Sequence, residues 1–338
     1  AERNQWTADP FGAELKNGYI YGRGTVDTKS LLAAELAVMI EIKRRGLRLN
    51  RDIILVAEAD EEAGSTGIQW LIQHAWNKID AEFAINEGGS VSETKDGTKL
   101  FAIQTTEKIP TRVLLTAKGT AGHGSLPRPD NAILHVQRAT LKLADADQPV
   151  RLNATTRRYF RDVSKLEEYN WLAPIWPRID NNSTAQAAAA QVKAKDPEID
   201  ALLRTTVTPT MMTAGNKINV IPTTAEVSLD VRRLPTETKE EVLARFRQIV
   251  NDSTVDISLA PGQQMPATEP SSMSTALYKA MEKVIAAQYP RDAAIVPFMG
   301  RGATDGSFLR ARGMAVYGAP VFLRETGESR AHGNDERI

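Results

Sequence analysis

The sequence predicts an α/β fold in which a mostly parallel, doubly wound sheet is interrupted by an inserted α+β layer of the ferredoxin-like type. Near both ends of the chain, short apolar runs rich in β-branched residues alternate with helical patterns, as in parallel sheets covered by helices. Between them, stretches of alternating polarity flank amphipathic helices, as in a small half-exposed sheet. We therefore expect a discontinuous first domain, residues 1–107 and 263–338, and an inserted domain, residues 108–262.

The expected elements of the first domain are an extended stretch at 18–26, a helix at 29–45, a buried strand at 53–59, a helix at 67–76, a strand at 81–86, a helix at 274–288, and strands at 294–298 and 313–318. The expected elements of the inserted domain are strands at 111–119, 225–232 and 255–259 and helices at 131–144, 185–195 and 239–251. Residues 150–215 are otherwise irregular in pattern, and Pro261-Gly262 marks a return point.

Acidic residues follow three of the predicted strands. Asp27, the run Asp60-Glu61-Glu62 and Glu87 each stand where an apolar stretch stops. If these strands are parallel neighbours, their carboxylates meet at one edge of the sheet, where ligands bind in open α/β folds. Several carboxylates share a small volume only when protons or a cation neutralise them, which predicts a zinc, manganese or cobalt site. The alternative for residues 60–62 is a solvated turn before a helix, since acids suit helix N-termini.

Composition excludes several other classes of function. Lys+Arg and Asp+Glu both number 42, so no net positive charge attracts nucleic acid or an anionic membrane. No run approaches the ~18 apolar residues of a membrane span. Cysteine is absent, which excludes disulfides and thiol catalysis and leaves cytoplasmic, periplasmic and secreted locations open. Neither the Gly-x-Ser-x-Gly elbow of serine hydrolases nor a His-Glu-x-x-His zinc motif occurs.

Two of the four histidines are candidates for chemistry. His74 and His135 stand within helical patterns and are interpreted as structural. His123 and His332 lie in glycine-bearing loops, where packing does not explain them. Near a carboxylate cluster, such residues serve as metal ligands or as hydrogen-bond donors to a transition state.

Seven segments together resemble a known family. They are Gly22-Arg23-Gly24-Thr25-Val26-Asp27-Thr28-Lys29, Asp60-Glu61-Glu62-Ala63-Gly64-Ser65, Asn86-Glu87-Gly88, Gly122-His123-Gly124-Ser125-Leu126-Pro127, Asn219-Val220-Ile221-Pro222, Asp230-Val231-Arg232 and His332-Gly333-Asn334-Asp335-Glu336. In this order they resemble the co-catalytic di-zinc metallopeptidase and aminoacylase family, which includes carboxypeptidase S, glutamate carboxypeptidase and succinyl-diaminopimelate desuccinylase. The resemblance covers nearly the whole chain.

The resemblance implies a role for each matching residue. Asp27 would bridge two zinc ions, for which cobalt or manganese could substitute, and Glu62, Glu87 and His332 would complete the ligand set. Glu61 would be the general base. His123 would stabilise the oxyanion in the partner subunit's site, while Asn219 and Arg232 would contact the substrate. The inserted domain would act as a lid and form a homodimer.

The resemblance also implies an activity. Family members with Glu at the position of Glu87 tend to be carboxypeptidases or N-acyl-amino-acid hydrolases, so we expect hydrolysis of an amide next to an amino acid with a free carboxylate. An aminopeptidase or dipeptidase of the same family, or a non-catalytic dimeric scaffold, is the alternative. The family's His-x-Asp metal loop would lie upstream of Trp6, and a C-terminal helix would follow Glu336. Without that loop, we expect the 338 residues to have poor activity and stability.

Overall fold

A computed structural model describes residues 3–262, 265–323 and 330–338 and divides the chain into two compact units. The first unit consists of Ala1–Thr105, Ser271–Phe298 and Thr304–Ile338, and the second of Thr106–Pro270 and Met299–Ala303. The chain returns to the first unit at Ser271 rather than at residue 263, which lies outside the described residues. A five-residue segment of the predicted first domain, Met299–Ala303, belongs to the second unit.

The strands are β1 Glu14–Lys16, β2 Tyr19–Tyr21, β3 Phe83–Asn86, β4 Ser90–Glu93, β5 Lys99–Glu107, β6 Ile109–Lys118, β7 Gly122–His123, β8 Thr206–Ala214, β9 Val220–Ile221, β10 Thr224–Arg233, β11 Val255–Leu259, β12 Ala293–Gly300 and β13 Ala315–Gly318. The α-helices are α1 Ser30–Arg44, α2 Thr66–His74, α3 Trp76–Ile79, α4 Ala132–Asp145, α5 Ala154–Val163, α6 Trp176–Ile179, α7 Ala185–Lys195, α8 Pro197–Asp200, α9 Lys239–Val250, α10 Ala276–Gln288 and α11 Gly306–Arg310.

The first unit contains a sheet of strand order β12-β5-β13-β3, with β4 also paired to β5. The sheet is mixed, because β13 runs parallel to β3 while β4 and β13 run antiparallel to β5. Ile103, Tyr278 and Tyr317 are fully buried in its core, where α10 packs. The predicted α/β class is confirmed, but the described pairings do not make this sheet mostly parallel.

Two predicted strands of the first unit are wrong. Residues 53–59 form no strand, and Ile53 and Ile54 are each 47% exposed. The stretch before Asp27 contributes only β2, which pairs with β1 in a separate two-stranded sheet. β-Branched residues favour a strand because they pack well on a half-buried sheet surface. Their presence does not show whether a neighbouring strand is available to pair with the segment. The helix after Asp27 forms as expected, although Leu31 is its only buried residue.

The second unit is built on an antiparallel sheet of order β11-β6-β10-β8, on which α4 and α9 pack. Leu115, Val136, Val227 and Phe246 are 0–2% exposed in this core, as their alternating and helical spacings predict. Both helices begin as their sequences favour. The Asn131 side chain accepts from Ile133 N at the start of α4, and Thr238 forms a capping box with Glu241 at the start of α9.

The region predicted as irregular is largely helical, and its last part forms strand β8, which was not predicted. A capping box between Asn153 and Thr156 begins α5, whose Tyr159, Phe160 and Val163 are buried, and α6 and α8 follow. Helix α5 is rich in Thr and aromatic residues, which weakens its helical signal, and α6 and α8 have only four residues each. Within the described ranges, no helix combines the length and the apolar character that crossing a membrane requires.

Candidate metal centre

Asp27 lies in a sharp loop between β2 and α1. Gly24 adopts a φ of +81°, which glycine adopts at little cost, and Thr25 to Lys29 form an irregular turn that leads into α1. Lys29 Nζ donates to Arg23 O and closes the turn. The loop directs the Asp27 carboxylate toward His332, so that Oδ2 lies 3.0 Å from the imidazole Nε2.

Glu62 reaches the same imidazole from another segment. Its Oε1 lies 2.6 Å from His332 Nε2. Glu61 to Ala63 form a single 3₁₀ turn, which Gly64 ends with a φ of +112°. The Asp60 carboxylate accepts from Thr66 Oγ1 and from Gly67 N at the start of α2, and the Thr66 hydrogen bond lowers the pKa of Asp60. Asp60 therefore orders the turn before a helix, while Glu62 contributes its carboxylate to the cluster.

Glu87 enters from the end of β3, and a pair of glycines follows it. Gly88 and Gly89 have φ values of +91° and +73°, and a Cβ on Gly89 would lie 2.6 Å from the carbonyl oxygen of Gly318. Only glycine fits this close approach between the loop and β13. Burial, followed by the charges of Glu61 and Asp27, raises the pKa of the Glu87 carboxyl to about 9.

The donor atoms of Asp27, Glu62 and His332 all lie within 4.8 Å of one another. Although burial lowers the pKa of His332, the hydrogen bond and charge of Glu62 together with the charge of Asp27 raise it overall. The carboxylates of Asp27, Glu61 and Glu62 surround the Glu87 side chain closely enough to disfavour its ionisation. Oxygen donors with one imidazole suit zinc, manganese or cobalt, so the residues present fit a divalent cation.

His123 and Asn219 lie together in the second unit. Strand β7 pairs with β9, which places His123 opposite Val220, and Gly124 N donates to Asn219 O over 2.8 Å. The backbone N–H of Ser125 donates to His123 Nδ1 over 3.2 Å. Ser125 Oγ also lies 2.7 Å from Nδ1, and in the tautomer in which Nδ1 accepts from both groups the neutral ring carries its proton on Nε2. The exposed His123 side chain thus presents an N–H donor.

Arg232 stands on β10, and the structure does not bring it into contact with Asn219. Its Nε and Nη2 donate to the two carboxylate oxygens of Asp230, over 2.8 and 3.0 Å. The planar guanidinium fork is therefore engaged within the strand, although the Arg232 side chain remains 36% exposed. A substrate carboxylate would use the remaining N–H groups or would displace Asp230.

The sequence reasoning missed one residue of this centre. Glu336 is fully buried, and its carboxylate accepts hydrogen bonds from the loop that carries Asp27. It stands in the same motif as His332, but nothing in the local pattern distinguishes it from the neighbouring acid Asp335, which is partly exposed. Glu336 and Asp27 are 309 residues apart in the sequence, so a pattern within a short segment cannot predict the hydrogen bond between them.

The fold and this cluster of acids and a histidine are those of a metallopeptidase. The whole chain, residues 1–338, matches the peptidase family M20/M25/M40, and the protein belongs to that family. The resemblance predicted from the seven motifs and the predicted enzyme class, a hydrolase of peptide or amide bonds, are thereby confirmed.

Several relatives extend this finding. The chain is 25% identical over 347 residues to the human N-fatty-acyl-amino acid synthase/hydrolase, covering 100% of this chain and 68% of that protein. It is 27% identical over 343 residues to the probable carboxypeptidase S-like 2 of Dictyostelium discoideum, covering 99% and 65%. The chain thus spans about two thirds of the length of these relatives.

A solved structure shows the same fold. It is an M20 family metallo-carboxypeptidase from Sulfolobus solfataricus, which matches with a TM-score of 0.70 at 21% sequence identity. The match covers 99% of this chain and 77% of the other.

Proposed function

We propose that this protein hydrolyses the amide bond of a peptide or N-acyl amino acid that carries a free carboxylate, with a pair of divalent metal ions at the Asp27 cluster. The observation that carries the proposal is the convergence of Asp27, Glu62 and His332. These residues come from segments far apart in the chain, and their donor atoms lie within 4.8 Å of one another. Membership of the M20/M25/M40 family supports the reaction class.

We assign the metal ligands as follows. Asp27 would be a ligand of both zinc ions, Glu62 of one and Glu87 of the other, and His332 would complete the set; cobalt or manganese could substitute for zinc. When bound, such ions polarise the scissile carbonyl and make water a nucleophile at neutral pH. The crowding of carboxylates around Glu87 supports this assignment, since a cation relieves the repulsion that otherwise keeps a proton on the cluster.

Glu61 is proposed as the general base. It is the neighbour of Glu62 in the sequence. Its charge raises the pKa of Glu87 more than the charge of Asp27 or Glu62 does, so its carboxylate lies close to the cluster. In this role Glu61 accepts a proton from the attacking water and delivers it to the leaving amine as the C–N bond breaks.

His123 is proposed as the oxyanion donor. In the tautomer in which Nδ1 accepts from the Ser125 N–H, Nε2 carries the proton and is the donor to the oxyanion. Asn219, adjacent to it, and Arg232 are proposed contacts for the substrate. A guanidinium suits a free carboxylate because its N–H groups bind both oxygens.

A homodimer through the second unit is also proposed. Strand β8 is the edge strand of its sheet, and Met211 and Met212 on it are 67% and 48% exposed. Leu141 of α4 is 61% exposed beside them and lines the same open cavity. An apolar sheet edge of this kind pairs readily with a second copy. Sedimentation of the wild-type chain should give a dimer, and Met211→Asp should shift it to the monomer; a monomeric wild type contradicts the proposal.

The test of the function is a panel of N-acyl amino acids, dipeptides and substrates with an amidated carboxyl end, assayed with the zinc-loaded chain. We expect turnover of substrates with a free carboxylate, abolished in Glu61→Gln, while the metal content of that variant stays unchanged. Even slow turnover supports the proposal when it depends on Glu61. Metal-loaded protein that hydrolyses no member of the panel contradicts it and favours a scaffold, whereas a requirement for a free amino group favours an aminopeptidase or dipeptidase.

A further inference from the structure

Glu336 is a fully buried acid that the proposed reaction does not use. Its exposed fraction is 0%, although it follows three partly exposed residues and lies close to the end of the chain. A buried carboxylate is costly unless hydrogen bonds and a positive charge compensate for its lost hydration. Its partners therefore show what it stabilises.

Among the described residues, all the hydrogen-bond partners of the Glu336 carboxylate belong to the loop that carries Asp27. Oε2 accepts from Arg23 Nη1 over 2.6 Å and from Gly24 N over 2.9 Å. Oε1 accepts from Val26 N over 2.9 Å and from Asp27 N over 3.1 Å. A carboxylate accepts about four hydrogen bonds, so its capacity is filled.

A second set of contacts ties the same loop to the segment that carries His332. Gly22 N donates to the backbone oxygen of Glu336 over 2.9 Å, and Arg23 Nη2 donates to Gly333 O over 2.7 Å. The Arg23 guanidinium also lies over the Trp6 ring, 5.2 Å from its centroid. Arg23 thus bridges the Glu336 carboxylate and the residue next to His332.

We infer that Glu336 is a positioning residue of the metal centre, which holds the Asp27 backbone at a fixed distance from His332. The two candidate ligands come from opposite ends of the chain, and Glu336 joins them through one carboxylate. Each oxygen binds two N–H groups of a single loop, so the side chain defines where the Asp27 peptide lies. This inference rests on the proposed metal site, and it adds a residue that touches neither metal nor substrate.

The test compares Glu336→Gln with Asp335→Asn, which removes the same charge one residue away. Asp335 Oδ1 accepts from Thr7 N, and an Asn side chain keeps that bond. In Glu336→Gln, an NH2 group replaces one of the two carboxylate oxygens and cannot accept from the two N–H donors that this oxygen binds. We expect the affinity for Zn²⁺ or Co²⁺, measured by competition with a chromophoric chelator, to fall about 10–100-fold, as when supporting contacts of metal ligands are lost. Asp335→Asn should stay within about twofold of the wild type.

A purely structural role predicts a different result. In that case the Glu336→Gln substitution lowers the melting temperature of the metal-free protein but leaves the metal affinity of the folded fraction and the Co²⁺ absorption spectrum unchanged. That result overturns the inference. If Glu336→Gln does not fold, Arg23→Lys keeps the charge but cannot reach both Glu336 and Gly333. It should weaken metal binding in the same direction, and unchanged affinity there also overturns the inference. Wild-type protein that binds metal but hydrolyses nothing refutes the proposed function alone.

Discussion

Replacing Glu87 by Gln should stabilise the metal-free protein and reduce the stabilisation that zinc provides. The pKa of Glu87 is raised to about 9 from its ordinary value of 4.5, by burial and then by the charges of Glu61 and Asp27. The folded chain therefore holds a proton that the unfolded chain releases between these two values, and the stability of the metal-free protein falls as pH rises through that range. Gln removes the titration and still donates a hydrogen bond to Asp27.

The size of the effect follows from the shift. At pH 7.5 the pH lies three units above the pKa of 4.5 that Glu87 has in the unfolded chain. At about 1.4 kcal/mol per unit, the protonated Glu87 can lower the stability of the metal-free protein by at most about 4 kcal/mol. The side chains of Glu62 and His332 are 58% and 65% exposed, so solvent screens much of the repulsion. We therefore expect Glu87→Gln to stabilise the metal-free protein by about 1–2 kcal/mol at pH 7.5 and by much less at pH 5.

The assay is calorimetric unfolding of chelator-treated protein at both pH values, repeated with saturating zinc. Zinc should stabilise the wild type more than Glu87→Gln, because loss of a ligand weakens binding at least ~10-fold, or about 1.4 kcal/mol at a fixed zinc concentration. Glu82→Gln serves as the control, since Glu82 is exposed and its partner is Arg51. A Glu87→Gln protein that is less stable than the wild type without metal, or equally stabilised by zinc, would refute the reasoning.

Three further substitutions test other parts of the structure. His123→Ala should lower kcat about 10²–10³-fold with unchanged metal content, as steady-state kinetics and metal analysis will show, if Nε2–H stabilises the oxyanion. Asp252→Asn should lower the free energy of unfolding in urea by about 1 kcal/mol at pH 6. The Thr254 hydrogen bond and the contact with His135 lower the pKa of Asp252 to about 2. The stabilisation by the Asp252 carboxylate is therefore present above its ordinary pKa of 3.8 and disappears as the pH falls through about 2. Equal loss at pH 6 and pH 2 would contradict that account. Phe246→Ala should destabilise the second unit by about 3–5 kcal/mol, since the ring is fully buried, and a loss below 1 kcal/mol would show that the core repacks.

The second unit was predictable because its signals are local. Strands β6, β10 and β11 alternate in polarity, and α4 and α9 carry apolar residues at helical spacing together with caps. Each pattern specifies both the element and the face that it buries. Helix α5 was missed because its buried Thr155, Thr156 and Tyr159 also favour strands, and its capping box is the signal that could have identified it.

The clustering of Asp27, Glu62 and His332 was predicted by a route that is only partly correct. Three parallel strands were expected to bring the acids together, yet only Glu87 follows a strand of the main sheet. Asp27 is placed by a loop that Glu336 binds, and Glu62 by a 3₁₀ turn that Asp60 and Gly64 order. The residue types were informative because clustered carboxylates must be neutralised by protons or a cation, whereas the contacts that position them join distant segments and leave no local pattern.

The claim on which the rest depends is that divalent ions bind among Asp27, Glu62, Glu87 and His332. Anomalous diffraction at the zinc edge, from crystals of the zinc-loaded chain, tests it most directly. The account predicts two peaks in this cluster, with carboxylate oxygens and the His332 imidazole at about 2.0–2.2 Å from zinc. An anomalous map with no peak among these four side chains, from protein shown to contain zinc, would contradict it.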